Sequence, residues 1–287
     1  MQQSTSEFLQ LRGRRIHVRL WGETDAPLLF LLHGWCEVSA SFQFVVEAFQ
    51  RSWRVIAPDW RGFGLSQWND GHYWFPDYFA DLDALLQHYS PDAPARIVGH
   101  SMGAVVSSIY GGACPERVSA LVNMEGVGLQ VPTPEDMPGR LAQWIRQSGR
   151  EASFRTYPDR TAFAARLRRD NPRLSADRAE YLARHLARDV EGGVRWAADP
   201  CHLWVNPVRL QLAEAMACWR RIEAPVLFIH GADSVYIREA FGSRPEEMDR
   251  RLACFARHRV ETLADCGHNL HHDQPEQVAA LIEGFLP

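Results

Sequence analysis

The stretch Gly99-His100-Ser101-Met102-Gly103 constrains this chain more than any other. A short apolar run, Ala95 to Val98 behind Pro94, precedes it and reads as a buried strand; Ala104 to Tyr110 follows and reads as a helix packed on that strand. G-x-S-x-G between a strand and a helix demands a sharp turn, which only small residues beside the serine allow, and the turn lifts the hydroxyl clear of the sheet. The helix that starts there aims unpaired N–H groups at whatever the serine attacks. Ser101 is therefore the candidate nucleophile, set against the plainer reading of a glycine-bordered turn serine.

The flanking pattern extends this unit into a fold. Phe8 to Leu11 and Arg15 to Trp21 predict a hairpin about Gly13. Leu28 to Leu32 is a continuous apolar strand of the kind buried on both faces of a parallel sheet. A helix over 41–50, a strand over 53–58 and a helix over 77–89 follow, the last with Phe79, Leu82, Leu85 and Leu86 on one face. After the Ser101 unit comes a strand over 118–124. The alternation breaks at Glu125 and resumes near Ala224, with strands over 225–230 and 259–263 and helices over 245–257 and 275–286. Alternating strands and helices argue for an α/β fold, a mostly parallel central sheet with helices on both faces. Residues 1–125 and 224–287 form that core, and the arginine-rich segment 126–223, helical and without a clear strand, is an inserted helical cap.

Composition narrows the chemistry. All 31 basic residues are arginine, so a lysine Schiff base, a Ser–Lys dyad and a P-loop lysine are excluded for these 287 residues. A net charge of −4 gives no reason to expect nucleic acid or an anionic membrane as partner. The six cysteines are scattered with no C-x-x-C pair, which fits reduced thiols in the cytoplasm and neither a disulfide framework nor zinc. Met1 to Arg15 has no apolar signal-peptide region, and no apolar run is long enough to cross a bilayer. The expectation is a cytoplasmic protein with a small-molecule substrate, no cofactor and no metal; its oligomeric state is not readable.

Several landmarks together resemble the α/β-hydrolases. These are His33-Gly34 after the third strand, Asp59-Trp60-Arg61-Gly62-Phe63-Gly64 after the fourth, the Ser101 turn, and Gly267-His268 after the last strand, with Gln274-Pro275-Glu276 entering the final helix. The resemblance covers the chain outside the cap. It implies that His268 is the base a serine hydroxyl needs, and that the N–H groups of Trp35 and Met102 form the oxyanion hole. Asp59 and Arg61 read as a structural ion pair stapling their loop, and His271, His272 and Asp273 as an ordinary solvated loop rather than a metal site. The acid that orients His268 has two candidates. The family's usual position, G-x-x-D after the strand ending His230-Gly231, holds Ser234 here, with Asp233 one residue early. Glu125, after the strand beyond the Ser101 helix, resembles the Met-Glu at that point in some haloalkane dehalogenases. Glu125 is preferred and Asp233 is the alternative.

The resemblance implies a serine hydrolase cleaving a small or medium carboxylic ester through an acyl-enzyme. A serine at the turn argues against the haloalkane dehalogenase and epoxide hydrolase reactions, whose enzymes carry aspartate there. Hydrolysis of a C–C bond, lactone or thioester stays open. A second reading is a cofactor-free 2,4-dioxygenase of the same fold using a His–acid dyad, from which Glu37 and Phe63 depart by standing where that group carries histidines. A third is a non-catalytic ligand-binding protein, since fold alone does not fix function. The cap aromatics, Trp144, Trp196, Trp204, Phe154, Phe163, Tyr157 and Tyr181, read mostly as a small core of their own and otherwise as pocket lining; Arg146 and Arg195 are candidates for a substrate carboxylate that nothing in the sequence favours.

Overall fold

The computed structural model describes residues 2–129, 131 and 133–287. Its first strands are β1 (Thr5–Leu11), β2 (Arg14–Trp21) and β3 (Leu28–Leu32), followed by a short helix α1 (Gln43–Ala48) and β4 (Arg54–Pro58). Next come α2 (Pro76–Tyr89), β5 (Ala95–His100), α3 (Met102–Ala113) and β6 (Val118–Met124). The segment after β6 holds α4 (Met137–Ser148), α5 (Arg160–Asp170), α6 (Ala176–Leu186), β7 (Ala187–Val190), β8 (Gly193–Trp196) and α7 (Leu212–Trp219). The chain closes with β9 (Val226–Gly231), α8 (Val235–Phe241), α9 (Pro245–Leu252), β10 (His258–Leu263), α10 (Leu270–Asp273) and α11 (Pro275–Phe285).

Eight strands form one sheet in the order β1-β2-β4-β3-β5-β6-β9-β10. The β1–β2 and β2–β4 pairings are antiparallel and the rest parallel. Period-2 alternation explains the apolar run of β3. Leu29 and Leu31 pack with α1 and α11 on one face, while Phe30 and Leu32 pack with α2 and α3 on the other. Each such fully buried side chain contributes about 1.5–3 kcal/mol. The carboxyl ends of β3, β5, β6 and β9, at the middle of the sheet, therefore emerge side by side from a core packed on both faces. That is where an open α/β sheet presents functional loops.

Segment 126–223 is not wholly helical. Arg188 to Arg195 folds back as the β7–β8 hairpin, closed by Glu191 and Gly192. A Gly-Gly pair with positive φ at both residues (79° and 140°) permits the reversal, and Glu191-Gly192-Gly193 was its sequence signal. Tyr157, Phe163, Tyr181 and Val194 bury themselves in a separate apolar cluster together with Val38 and Phe44 from the sheet domain. Helix α7 instead packs against α3 within the sheet's own core. The expected helix over 245–257 ends at Leu252, and α8 before it was not foreseen.

Candidate active site

The turn between β5 and α3 is as tight as its sequence requires. Ser101 sits at φ 49° and ψ −112°, outside the regions L residues favour. Its N–H donates to the Met124 carbonyl at 2.8 Å and its carbonyl accepts from Val105 N–H at 3.0 Å, so both neighbours hold the strained residue. A Cβ on Gly103 would lie 2.1 Å from the Leu32 carbonyl oxygen, and one on Gly99 would lie 2.6 Å from the Ala104 backbone. Only glycine lets α3 approach the sheet this closely.

His268 arrives on the loop after β10 with its Nε2 3.1 Å from Ser101 Oγ. Its Nδ1 lies 3.1 Å from Glu125 Oε2. Glu125 is fully buried directly after β6, in the left-handed region at φ 62°. Its other contacts are the Gly231 N–H at 2.8 Å, donating to Oε1, and the Ser234 hydroxyl at 2.6 Å, donating to Oε2. Two neutral donors and one imidazole thus surround a carboxyl group shut away from water, so both side-chain oxygens of Glu125 have a partner. Asp233 points elsewhere: half exposed, it pairs with Arg173 and makes no hydrogen bond to His268. The structure brings Ser101, His268 and Glu125 together and leaves Asp233 out. Ser234 and Gly231 were missed as site residues, although Ser234 was already conspicuous as the serine at an acid's usual position.

Trp35 and Met102 flank Ser101 on the wall of a cavity of about 340 Å³. Neither N–H donates to another group among the described residues, which leaves both free for an incoming oxygen. Trp144 and Trp204 from the segment after β6 line the same cavity with Tyr73, Phe75 and Tyr236, and among the described residues no arginine, aspartate or glutamate does. Arg195 is turned to Thr156 (2.7 Å), and Arg146 is not on the wall. A larger groove, about 980 Å³, lies away from Ser101 and is lined mainly by charged side chains such as Asp177, Arg178 and Glu276.

Two neighbouring expectations need correction. Asp59 and Arg61 do not pair with each other: Asp59 faces His17 (2.7 Å) and the Ser39 and Leu65 N–H groups, and Arg61 is clamped by Asp81 and Asp77. The chain turns at Arg61-Gly62, with Gly62 at φ 81°, so the two side chains diverge and each meets a partner distant in sequence. His271 and His272 are not solvated either; both are buried, His271 with its Nε2 3.0 Å from Glu37 Oε1. A short helix, α10, turns them inward.

A family model described as the alpha/beta hydrolase fold matches residues 27–275. The chain belongs to the α/β-hydrolase family. Among the relatives of this α/β-hydrolase is a serine hydrolase-like protein of Danio rerio, 26% identical over 298 aligned residues that span 100% of this chain and 90% of the relative. The 2-(acetamidomethylene)succinate hydrolase of Mesorhizobium japonicum is 25% identical, covering 95% of this chain and 92% of that enzyme. Among solved structures, the thioesterase domain from the curacin biosynthetic pathway matches with a TM-score of 0.86 at 25% identity, over 98% of this chain and 99% of that one. The α/β-hydrolase is thus a member of a hydrolase family with hydrolase-named relatives.

Proposed function

We propose that this α/β-hydrolase is a serine esterase that cleaves a small or medium, uncharged carboxylic ester. The observation that carries the reading is the continuous line from Ser101 Oγ through His268 to a buried Glu125, at 3.1 Å and 3.1 Å, opening on an aromatic cavity. His268 Nε2 takes the serine proton as Ser101 attacks the carbonyl, and Glu125 holds the Nδ1–H and stabilises the imidazolium that forms. The N–H groups of Trp35 and Met102 receive the developing oxyanion. His268 then returns the proton to the departing alcohol, and a water, deprotonated by the same nitrogen, releases the acid.

Cavity chemistry supports the substrate class. Walls of tryptophan, tyrosine and phenylalanine, with no arginine among the described residues, reward an apolar acyl or alcohol group over one bearing a second carboxylate. We propose that residues 126–223 act as the cap that limits acyl size, since Trp144 and Trp204 come from it. Among the described residues no arginine lines the wall, where the basic side chains are His72 and His202, so nothing there offers the bidentate pairing that a succinate-type second carboxylate would reward.

The test is a panel of nitrophenyl esters graded in acyl length, run on wild type and Ser101→Ala with a fluorophosphonate probe. Neutral short and medium esters turn over and Ser101 takes the label. Ser101→Ala loses at least about 10³-fold in rate and all labelling. Esters bearing a free carboxylate react poorly. An unlabelled serine would remove the esterase reading in favour of a ligand-binding protein, and oxygen uptake with a hydroxyquinolone in its favour would indicate the dioxygenase.

A further inference from the structure

A second set of titratable groups lies directly behind the proposed triad and takes no part in it. His100, the residue before Ser101, is 2% exposed. Its Nε2 is 2.9 Å from the main-chain carbonyl oxygen of His268, which can only accept, so Nε2 carries a hydrogen. Its Nδ1 is 2.7 Å from Glu37 Oε2, an oxygen that already accepts the Gly34 N–H at 2.7 Å. A neutral His100 beside an ionised Glu37 would set two lone pairs against each other at 2.7 Å in a dry interior. One more proton must therefore reside between Glu37 and His100.

We propose that Glu37 and His100 are positioning residues: their buried, proton-sharing pair fixes both the oxyanion strand and the base loop of the active site. The pair binds three segments at once. Glu37 holds the N–H of Gly34, immediately before the Trp35 donor; His100 leads into Ser101; and the far nitrogen of His100 grips the backbone of His268. There is no slack at Gly34, where an added Cβ would meet Glu37 Oε2 at 2.7 Å and His100 Nδ1 at 2.9 Å. The inference rests on the esterase reading for its catalytic part.

The groups facing His100 agree with the extra proton. Burial pulls it down, but the charge and hydrogen bond of Glu37, with Glu125 beyond, hold it above the ordinary histidine value. Burial would push Glu37 up, yet His100 and His271 hold it well below the carboxylate range. The rings of His268 and His271 lie 4.9 Å and 4.3 Å from His100, and the His272 Nε2 is 3.9 Å from Glu37 Oε1. Burial pushes His271 and His272 below the ordinary range, so both stay neutral and His271 donates to Glu37. His33, also pulled down by burial, adds no competing charge.

Nitrogen-15 histidine NMR on the wild-type protein reads the proton without any turnover. His100 is expected to show two nitrogen-bound ring protons at neutral pH and to keep them into the alkaline range. In ester hydrolysis, Glu37→Gln and His100→Gln are each expected to lower kcat on the order of 10-fold to 100-fold with KM within about twofold, because donors and base are displaced while the cavity walls remain. Wild-type kcat is expected to decline in the alkaline range as the shared proton is lost, and that decline should be absent from both variants, a change that a merely structural role would not produce. A single ring proton on His100 overturns the proposal, as does a tightly held zinc ion joining Glu37, His100 and His271 in metal analysis, or a Glu37→Gln enzyme of wild-type kcat and pH profile. If Ser101 takes no probe and no ester turns over, the esterase reading fails and the catalytic part of this one with it; the NMR result still decides the proton.

Discussion

Glu125 shows how much one residue can depend on its surroundings. A β-strand ends, the backbone flips to positive φ, and a carboxylate is left fully buried among three partners. Replacing it with glutamine keeps the size but turns an amide NH2 toward the Gly231 N–H or the imidazole and removes the charge that, in the proposed mechanism, stabilises the imidazolium. Glu125→Gln is expected to lower kcat by about 10² to 10⁴, whereas Asp233→Asn stays within about threefold. Steady-state kinetics on the two variants decides it, and equal losses would count against Glu125. Ser101 and His268 were legible because each sits in a short, local, chemically demanding motif. The acid was not, since two loops from different strands end near the same point, and only the path of each backbone says which carboxylate turns inward. The partners of Asp59 and Arg61 were illegible for the same reason: His17 and Asp81 lie 42 and 20 residues away.

At the scale of elements, α9 illustrates a contact that no pattern announces. Arg251 is almost fully buried, and its guanidinium donates to the carbonyls of Val127 and Leu129 at 2.7 Å each and to Glu247 at 3.0 Å. This pins the loop that leaves Glu125. Arg251→Leu would strand one buried and one part-buried carbonyl, so we expect a loss of about 2–4 kcal/mol in urea unfolding, together with slower turnover in the proposed ester hydrolysis. An unchanged midpoint would show that the loop needs no such anchor. The succession of strands and helices along the chain, the two-faced sheet and the Ser101 helix followed from periodicity because burial repeats along those elements; the order of strands within the sheet did not. The β7–β8 hairpin did not, because each strand spans only four residues and the charged Arg188, Asp189 and Arg195 hide the alternation.

Across the whole molecule, neutral buried histidines set the response to acid. Burial lowers His33, His230, His271 and His272, and brings His185 to about 4 and His202 to about 3. Each has a folded value below its unfolded value of about 6.5, so the unfolded chain binds more protons at lower pH and stability falls as pH drops below that point. Asp59 and Glu37, depressed in the fold, add their losses only below about pH 4.5. His100, raised, works the other way: its contribution is complete below about 6.5 and fades as pH climbs. Urea midpoints should therefore decline already between about pH 6.5 and 4.5, before the carboxylates titrate; a flat profile there would contradict the burial argument. No helix among the described residues is long and apolar enough to cross a membrane.

One seam decides how such a molecule could admit its ligand. Gly64 N–H donates to the Ala197 carbonyl at 2.6 Å, Asp199 N–H to the Gly62 carbonyl at 2.7 Å, and the Tyr73 hydroxyl to Asp199 at 2.7 Å. These bonds stitch the loop after β4 to the stretch leaving β8. Helix α4, by contrast, contributes Trp144 to the cavity wall yet has no buried residue. The roof over Ser101 is therefore fastened to the loop after β4 along one side and held more loosely along the other. There the exposed α4 is tied to the 205–206 stretch by Arg140, donating to the Asn206 carbonyl at 2.6 Å, and Gln147, accepting the Val205 N–H at 2.8 Å. Amide exchange should find Gly64 and Asp199 slow and α4 fast, and traffic to the serine would pass beneath the loose edge.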